Sequence, residues 1–387
     1  MAVLAARTRD VAGAEDALAE AFAAALADWP RSGVPRAPEA WLLTVARRKM
    51  VDAARRRRTS EESADVIELL SEVAAQPEIP DDRLRLMFAC AHPGIDEGVR
   101  APLILQVVLG FDAATIASAF LVAPATMSQR LVRAKNRIRQ AGIPFRVPDR
   151  EELAERLDAV LEAIYAIFAE GWADPAGTQA QTRGLTEEAI WLGRLVASLL
   201  PDEPEVLGLL ALMLHAEARR AARRDAHGEF VPLREQDPDR WDAALIDEAE
   251  ALLRAASRMN SPGRFQLEAA VHSAHALRRL SGTTDWKAIM ALYDALLELT
   301  GSVVVAINRA VALAEVEGAG AGLAALDALR NDTRLVQYQP FWAARAELLA
   351  RLGDRRSAAQ AYEQAIGLEA DPAVRRYLQR RNSGQRP

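Results

Sequence analysis

The stretch that most limits how this chain can fold is residues 99–140, VRAPLILQVVLGFDAATIASAFLVAPATMSQRLVRAKNRIRQ. It reads as an apolar helix, a break at Gly110-Phe111, a short second helix, a turn at Val122-Ala123-Pro124 and a basic third helix. Thr126, Ser128 and Gln129 follow the turn. Arg130, Arg133, Lys135, Arg137 and Arg139 then fall within ten residues, with no acid among them. A short helix, a tight turn and a polar-then-basic helix form the helix-turn-helix pattern, whose second helix lies in the DNA major groove. A basic run alone reads as a solvated helix face; its place directly after the turn favours DNA. Ser128, Gln129 and Arg130 sit where base edges are read. Arg133, Lys135, Arg137 and Arg139 suit phosphates, which position without specifying.

At 387 residues the chain is long enough for two or three domains. Half the residues are hydrophobic, aromatics are few and alanine is abundant, which predicts an all-α fold. The net charge of −6 conceals a segregation: +4 over residues 1–60, −6 over 61–80, +4 over 81–150 and −8 over 151–387. Two basic blocks separated by an acidic one point to nucleic acid where the whole-chain balance does not. Cys90 is the single cysteine, which excludes a disulfide framework and a thiolate zinc site. There is no signal-peptide pattern and no apolar run near 18 residues, so a soluble cytoplasmic protein is expected, with no membrane partner. No cofactor, metal or catalytic constellation is expected.

Residues 14–28 predict an amphipathic helix with Ala17, Leu18, Ala21, Phe22, Ala25 and Leu26 on its apolar side, ended by Trp29-Pro30. A loop with Pro35 and Pro38 follows, then a helix over Glu39–Arg58. Trp41, Leu42, Val45, Ala46 and Val51 give that helix an apolar stripe. Arg47, Arg48 and Lys49 form a basic patch, and Arg55–Arg58 close it. Cations for a phosphate backbone and apolar pockets for unstacked bases suit single-stranded nucleic acid. These residues can supply both. For Trp41 core packing is the favoured reading, and Arg55–Arg58 read equally as a solvated helix end favoured by the macrodipole.

Asp16-Ala-Leu-Ala19-Glu20-Ala-Phe22 and Trp41-Leu42…Ala46-Arg47…Asp52 resemble the second conserved region of bacterial sigma factors of the extracytoplasmic-function type. Ala19 stands where that family usually has Gln, and the fifteen residues before Asp16 are fewer than its full first helix takes. A short first helix, or a start further upstream, is therefore expected. The resemblance implies that Asp16, Glu20 and Phe22 face core RNA polymerase. It implies that Trp41, Arg47, Arg48, Lys49, Arg55 and Arg56 serve the minus-ten promoter element. It makes Thr126, Ser128, Gln129, Arg130, Arg133, Lys135 and Arg137 the minus-thirty-five readers. Residues 83–147 also resemble that subgroup, although Thr115 and Ser128 stand where its members commonly carry an acid and a basic donor.

Residues 59–80, acidic and ending in Pro77 and Pro80, read as a linker with a short helix. Asp81–His92 predicts an apolar helix; Cys90 and His92 make at most half a metal site. Asp112 is placed to cap the next helix. Gly142–Pro148 reads as a rigid hinge.

From Glu151 the chain is helical and acidic, with helices expected over 153–175, 185–201 and 203–225. His227–Trp241 reads as a polar surface loop. His215, His272 and His275 read as single structural histidines. The heptapeptide at Tyr293 recurs at Tyr362, with a weaker copy at Leu326. Around the last copy, Trp342, Ala346, Leu349, Gly353-Asp354, Ala358, Tyr362 and Ala365 follow the tetratricopeptide spacing. Such repeats predict a solenoid-like stack with either a peptide or protein segment as ligand or a pure scaffold role.

The expected domains are residues 1–58 (sigma region 2-like), 59–80 (acidic linker), 81–142 (region 4-like helix-turn-helix), 143–150 (hinge), 151–258 (helical middle domain) and 259–387 (repeats). The function implied is transcription initiation with core RNA polymerase and promoter DNA as partners, no catalysis, and a C-terminal extension that regulates. The alternative is a helix-turn-helix transcriptional regulator whose solenoid senses a peptide or protein. Such a regulator has no use for the helices around Asp16–Phe22 and Trp41–Arg58.

Overall fold

The computed structural model describes residues 11–35, 38–57, 79, 81–141, 148, 150–173 and 184–384. Every regular element among them is a helix, as the alanine-rich composition predicts; one isolated antiparallel bridge joins Arg224 and Phe230. Apart from Ile79 the acidic linker lies outside the described residues, and of residues 143–150 only Pro148 and Arg150 are described. The chain divides into two compact units, Met1–Ala166 and Ile167–Pro387.

In the first unit α1 (Val11–Ser32) packs on α2 (Pro38–Arg57). Ala14, Ala17, Ala21 and Ala25 form the buried side of α1, and Ala46 of α2 is equally buried. Small side chains at this spacing let two helix backbones approach closely. Two expectations change here. Phe22 and Leu26 lie outside the buried stripe, 50 % and 78 % exposed. The helix also runs through Trp29-Pro30: a proline in the last turn removes a single intrahelical bond. It stops at Gly33, whose amide closes on the Trp29 carbonyl (2.9 Å) with φ +81°, a conformation that costs glycine no Cβ clash.

The same unit holds α3 (Asp82–Cys90), α4 (Glu97–Leu109), α5 (Ala113–Ala119) and α6 (Pro124–Ala141). Asp81 caps α3 by accepting from the amides of Arg83 and Leu84 (both 2.9 Å). α4 is buried along most of its length. The following helix α7 (Ala154–Ala173) begins in this unit. Its Arg156, only 2 % exposed, donates to the Phe88 carbonyl of α3 (3.2 Å).

The second unit continues with α8 (Leu185–Leu199), α9 (Pro204–Glu217), α10 (Ala243–Arg258), α11 (Arg264–Ala276) and the single turn α12 (Arg278–Ser281). α9 is almost wholly buried and packs on α8, α10 and α11. A Cβ on Gly208 would meet the Gln266 amide at 2.6 Å, so only glycine allows the α9–α11 approach. Glu205 of α9 accepts from the Phe265 and Gln266 amides (2.8 and 3.1 Å), placing a carboxylate on the N-terminus of α11.

α9 ends at Glu217, earlier than the helix expected over 203–225. The Ala218 carbonyl accepts from Asp242 (2.9 Å), and the Ala222 amide turns back to Arg219 (3.0 Å) in a 3-10 turn. The last helices are α13 (Trp286–Thr300), α14 (Val303–Glu317), α15 (Ala319–Leu329), α16 (Gln339–Arg351), α17 (Arg355–Leu368) and α18 (Pro372–Ser383). Each packs on the next in sequence. Ala346, Leu349, Ala358, Tyr362 and Ala365, read from the repeat spacing, share one apolar cluster with Leu378 of α18.

Candidate nucleic-acid interface

α5 and α6 are joined by a tight turn built from local chemistry. Asp112 caps α5 by accepting from the Thr115 amide (2.7 Å), and this hydrogen bond lowers its carboxyl pKa. α5 ends at Phe120, whose amide reaches the Ile116 carbonyl (3.2 Å). Leu121 adopts φ +50°, and the Val122 amide returns to the Ala117 carbonyl (3.0 Å). The chain reverses within Leu121–Ala123, and Pro124 opens α6 with a φ already suited to a helix.

On α6, Met127, Leu131 and Ala134 are buried against the preceding helices. Their 4-3 spacing fixes the helix rotation, so the other residues divide by angle at about 100° per residue. Thr126, Gln129, Arg130, Arg133 and Arg137 are all exposed and form one continuous side. Ser128 and Lys135 lie on the opposite flank. Ser128 is exposed; Lys135 is half-buried, close enough to α3 for its charge to act on the Cys90 thiol. Asn136, exposed beside Arg133 and Arg137, was not singled out from the sequence. Its signal is the helical period from Gln129, one heptad earlier.

On α1 and α2 the expected residues fall into separate groups. Asp16 and Glu20 are exposed on one flank of the alanine seam, and Phe22 with Leu26 on the other. Glu20 is not independent of the basic patch, because its carboxylate pairs with Lys49 (3.0 Å). Arg47 and Arg48 are exposed. Trp41 is half-buried edge-on to Trp29, with ring centroids 5.5 Å apart. Arg55 and Arg56 lie in the last turns of α2, and their side chains are outside the described residues.

Cys90 is fully buried, and burial pushes its thiol pKa up. His92 Nδ1 accepts from the Gly94 amide (3.0 Å). Among the described residues no group of histidine, cysteine and carboxylates is set to hold a metal ion, and no helix is long and apolar enough to cross a membrane.

Three histidines and an arginine meet in the second unit, a grouping that no motif announces. Arg219 Nη2 lies 2.9 Å from His272 Nδ1, and His215 Nε2 lies 3.4 Å from Glu250. Glu250 also accepts from the Ser273 hydroxyl. His275 packs edge-on to Trp286 with centroids 5.4 Å apart. Burial, then the Arg219 charge, lowers the pKa of His215 and of His275 to about 4 and takes that of His272 well below its usual value. The grouping is invisible in sequence because α9 and α11 supply its members 57 to 60 positions apart from His215.

Residues 1–60 match the model of sigma-70 region 2, and residues 156–257 match a family of unknown function, DUF6596. An uncharacterized protein of Rhizobium meliloti (strain 1021) is 40 % identical over 375 residues, covering 94 % of this chain and 88 % of the relative. No solved structure matches the chain. The chain belongs to the family of that Rhizobium meliloti protein and carries a sigma-70 region 2 domain at its amino-terminal end. That domain implies a role in transcription initiation, with core RNA polymerase and promoter DNA as partners.

Proposed function

We propose that the chain is a sigma factor of the extracytoplasmic-function kind with two DNA-reading elements and a regulatory C-terminal extension. In this reading α2 serves the minus-ten element through Arg47, Arg48, Lys49, Arg55 and Arg56, with Trp41 held at its entrance by Trp29. The α5–turn–α6 segment is a helix-turn-helix that reads the minus-thirty-five element. The observation that carries it is the division of α6. Its buried seam fixes the helix, and the opposite side presents Thr126, Gln129, Arg130, Arg133 and Arg137 with no acid anywhere on the helix. Base reading falls to Thr126, Gln129 and Arg130, with Ser128 at the flank. Arg133, Arg137 and Lys135 hold phosphates.

Phe22 and Leu26, one helical turn apart and exposed, suit an apolar contact with polymerase. Asp16 and Glu20 supply charge on the other flank. The second unit regulates, and its last helices act as a tetratricopeptide-like protein-binding stack. The chain has no catalytic step of its own.

The test is to mix the purified chain with core polymerase and measure promoter-dependent run-off transcription. A stable complex that initiates at defined promoters is expected. Failure to bind core polymerase overturns the reading. A fragment lacking residues 174–387 then separates a regulatory extension, which changes promoter output, from an inert one.

A further inference from the structure

Residues 223–231 fold back on themselves as a tight hairpin. The Asp225 amide donates to the Glu229 carbonyl (3.0 Å) and the Val231 amide to the Arg223 carbonyl (2.9 Å). Asp225 Oδ1 accepts from the amides of His227 and Glu229 (2.8 and 2.9 Å). The base is fixed by Arg240, which donates to the Ala221 and Arg224 carbonyls (2.5 and 3.0 Å). Arg278 likewise donates to the carbonyls of Leu233, Arg234 and Gln236 (3.1, 3.2 and 2.8 Å). The hairpin is therefore a preformed projection of the α9–α11 region.

Its tip is seated on helices more than a hundred residues further along. Glu229 accepts from Arg376 Nε (2.8 Å) and Arg380 Nη1 (2.6 Å) of α18. Phe230 meets Tyr377 edge-on, with centroids 5.5 Å apart. Arg224 pairs with Asp371 at the start of α18. Arg234 donates to Glu347 of α16 (3.1 Å), which also accepts from Arg381 (2.6 Å) and the Tyr362 hydroxyl (3.1 Å).

These contacts have the make-up of a recognition surface. Two guanidinium groups take one carboxylate, a ring receives the next side chain, and a carboxylate takes the arginine five residues on. The seam is also easy to part. Arg376 and Arg380 are about half exposed, and ion pairs of that kind contribute little each. Asn382 is 4 % exposed, and its Oδ1 has no hydrogen-bond partner among the described residues; Arg381 Nε and Arg224 Nη1 are in the same position. α18 itself is anchored elsewhere, by Leu378 in the apolar cluster with α16 and α17.

We propose that this hairpin is a built-in ligand covering a protein-docking face of α16 and α18. The face accepts, in its place, a partner segment that presents a carboxylate followed by an aromatic residue and, five positions after the carboxylate, an arginine. The hairpin, tethered to the face, competes at high effective concentration, so the face is masked until a matching partner displaces it. The inference stands apart from the DNA reading, since all its residues lie in the second unit.

The probe is a fluorescein-labelled peptide of residues 225–236, DAHGEFVPLREQ, followed by anisotropy as the full chain is titrated. The unmodified chain is expected to bind it weakly. Glu229→Lys with Phe230→Ala disables the hairpin and leaves the face intact, and should bind at least about ten-fold tighter. Adding Arg376→Glu and Arg380→Glu should return affinity to the starting level. If the hairpin variant keeps its thermal melt and gains nothing, the contacts are a structural clamp and the proposal fails. If that variant does not fold, Glu229→Gln takes its place: a several-fold gain supports the proposal, and no gain overturns it.

Discussion

Lys49 Nζ lies 3.0 Å from Glu20 Oε2, joining the two amino-terminal helices across their outer edge. Both side chains are about half exposed, so the pair contributes at most about 1 kcal/mol to stability. Its consequence is functional. A lysine held by a carboxylate of its own chain gives up that partner when it meets a phosphate. Glu20→Gln is therefore expected to raise affinity for minus-ten fork-junction DNA in the polymerase complex, while leaving the urea midpoint nearly unchanged. Lys49→Gln should lower that affinity. Band shifts at two salt concentrations measure both. Equal affinities for the two variants and the parent would remove Lys49 from the DNA-reading set.

Two positions along α6 predict two kinds of loss. Arg130→Ala takes away a side chain on the exposed side at the helix's amino-terminal end. It should relax preference at one base of the minus-thirty-five element, at a cost of about 1–3 kcal/mol on the best site. Lys135→Ala should weaken all sites alike and reduce the salt slope by roughly one. Binding to a randomised minus-thirty-five library distinguishes them. A base-specific loss at Lys135 would reverse the assignment.

The helices and the α5–α6 turn were legible because their signals are local: Gly110, Asp112 and Pro124 punctuate the chain where the elements end and begin. The exposure of Phe22 was not legible in the helical period; only the resemblance, which sets it against polymerase, pointed to it. Periodicity marks an apolar side without saying whether a neighbour covers it, and the alanines of α1 bury only a narrow seam. The end of α9 at Glu217 was hidden for a related reason: Ala218 gives its carbonyl to Asp242, a partner that helix propensity does not see. The same holds for the hairpin on α18 and for the histidines around Arg219, whose members meet only after α9, α11 and the last helices have packed. For the proposed DNA face, the residue types were readable in advance. Their separation into the Arg130 side and the Lys135 flank required the burial of Met127 and Leu131.

Arg156 ties α7 to α3, and its removal tests how far the α3–α6 region depends on chain beyond it. The Phe88 carbonyl it serves would lose its donor, at a cost of about 1–3 kcal/mol. The neighbouring Leu157, Val160, Leu161 and Ile164 are buried as well. Arg156→Ala is expected to lower the urea midpoint of a fragment ending at Ala173. A fragment ending at Gly142 lacks the whole helix and should melt lower still. Equal midpoints for the two fragments would show that α7 is not part of this region's core.

The histidine cluster makes the second unit sensitive to acid. His215 on α9 faces Glu250 of α10; His272 and His275 on α11 face Arg219, with Tyr293 and Trp286 of α13 and the charges of Arg223 and Arg278 around them. The folded-state pKa values are lowered, chiefly by burial, so the imidazoles are neutral when folded. An unfolded histidine takes its proton near pH 6.5. Below that value the unfolded chain therefore binds more protons than the folded one, and stability falls with pH. The contribution is fully present above pH ~6.5 and is lost progressively as the pH drops toward the folded values of about 4 for His215 and His275. The urea midpoint of the full chain should decline steadily from pH 7 to 5.5, a range in which few carboxylates titrate. His275→Gln should flatten that decline, because it removes one of the differential protonations. A midpoint that is level across this interval, or that rises on acidification, would mean that the histidines are protonated in the folded unit.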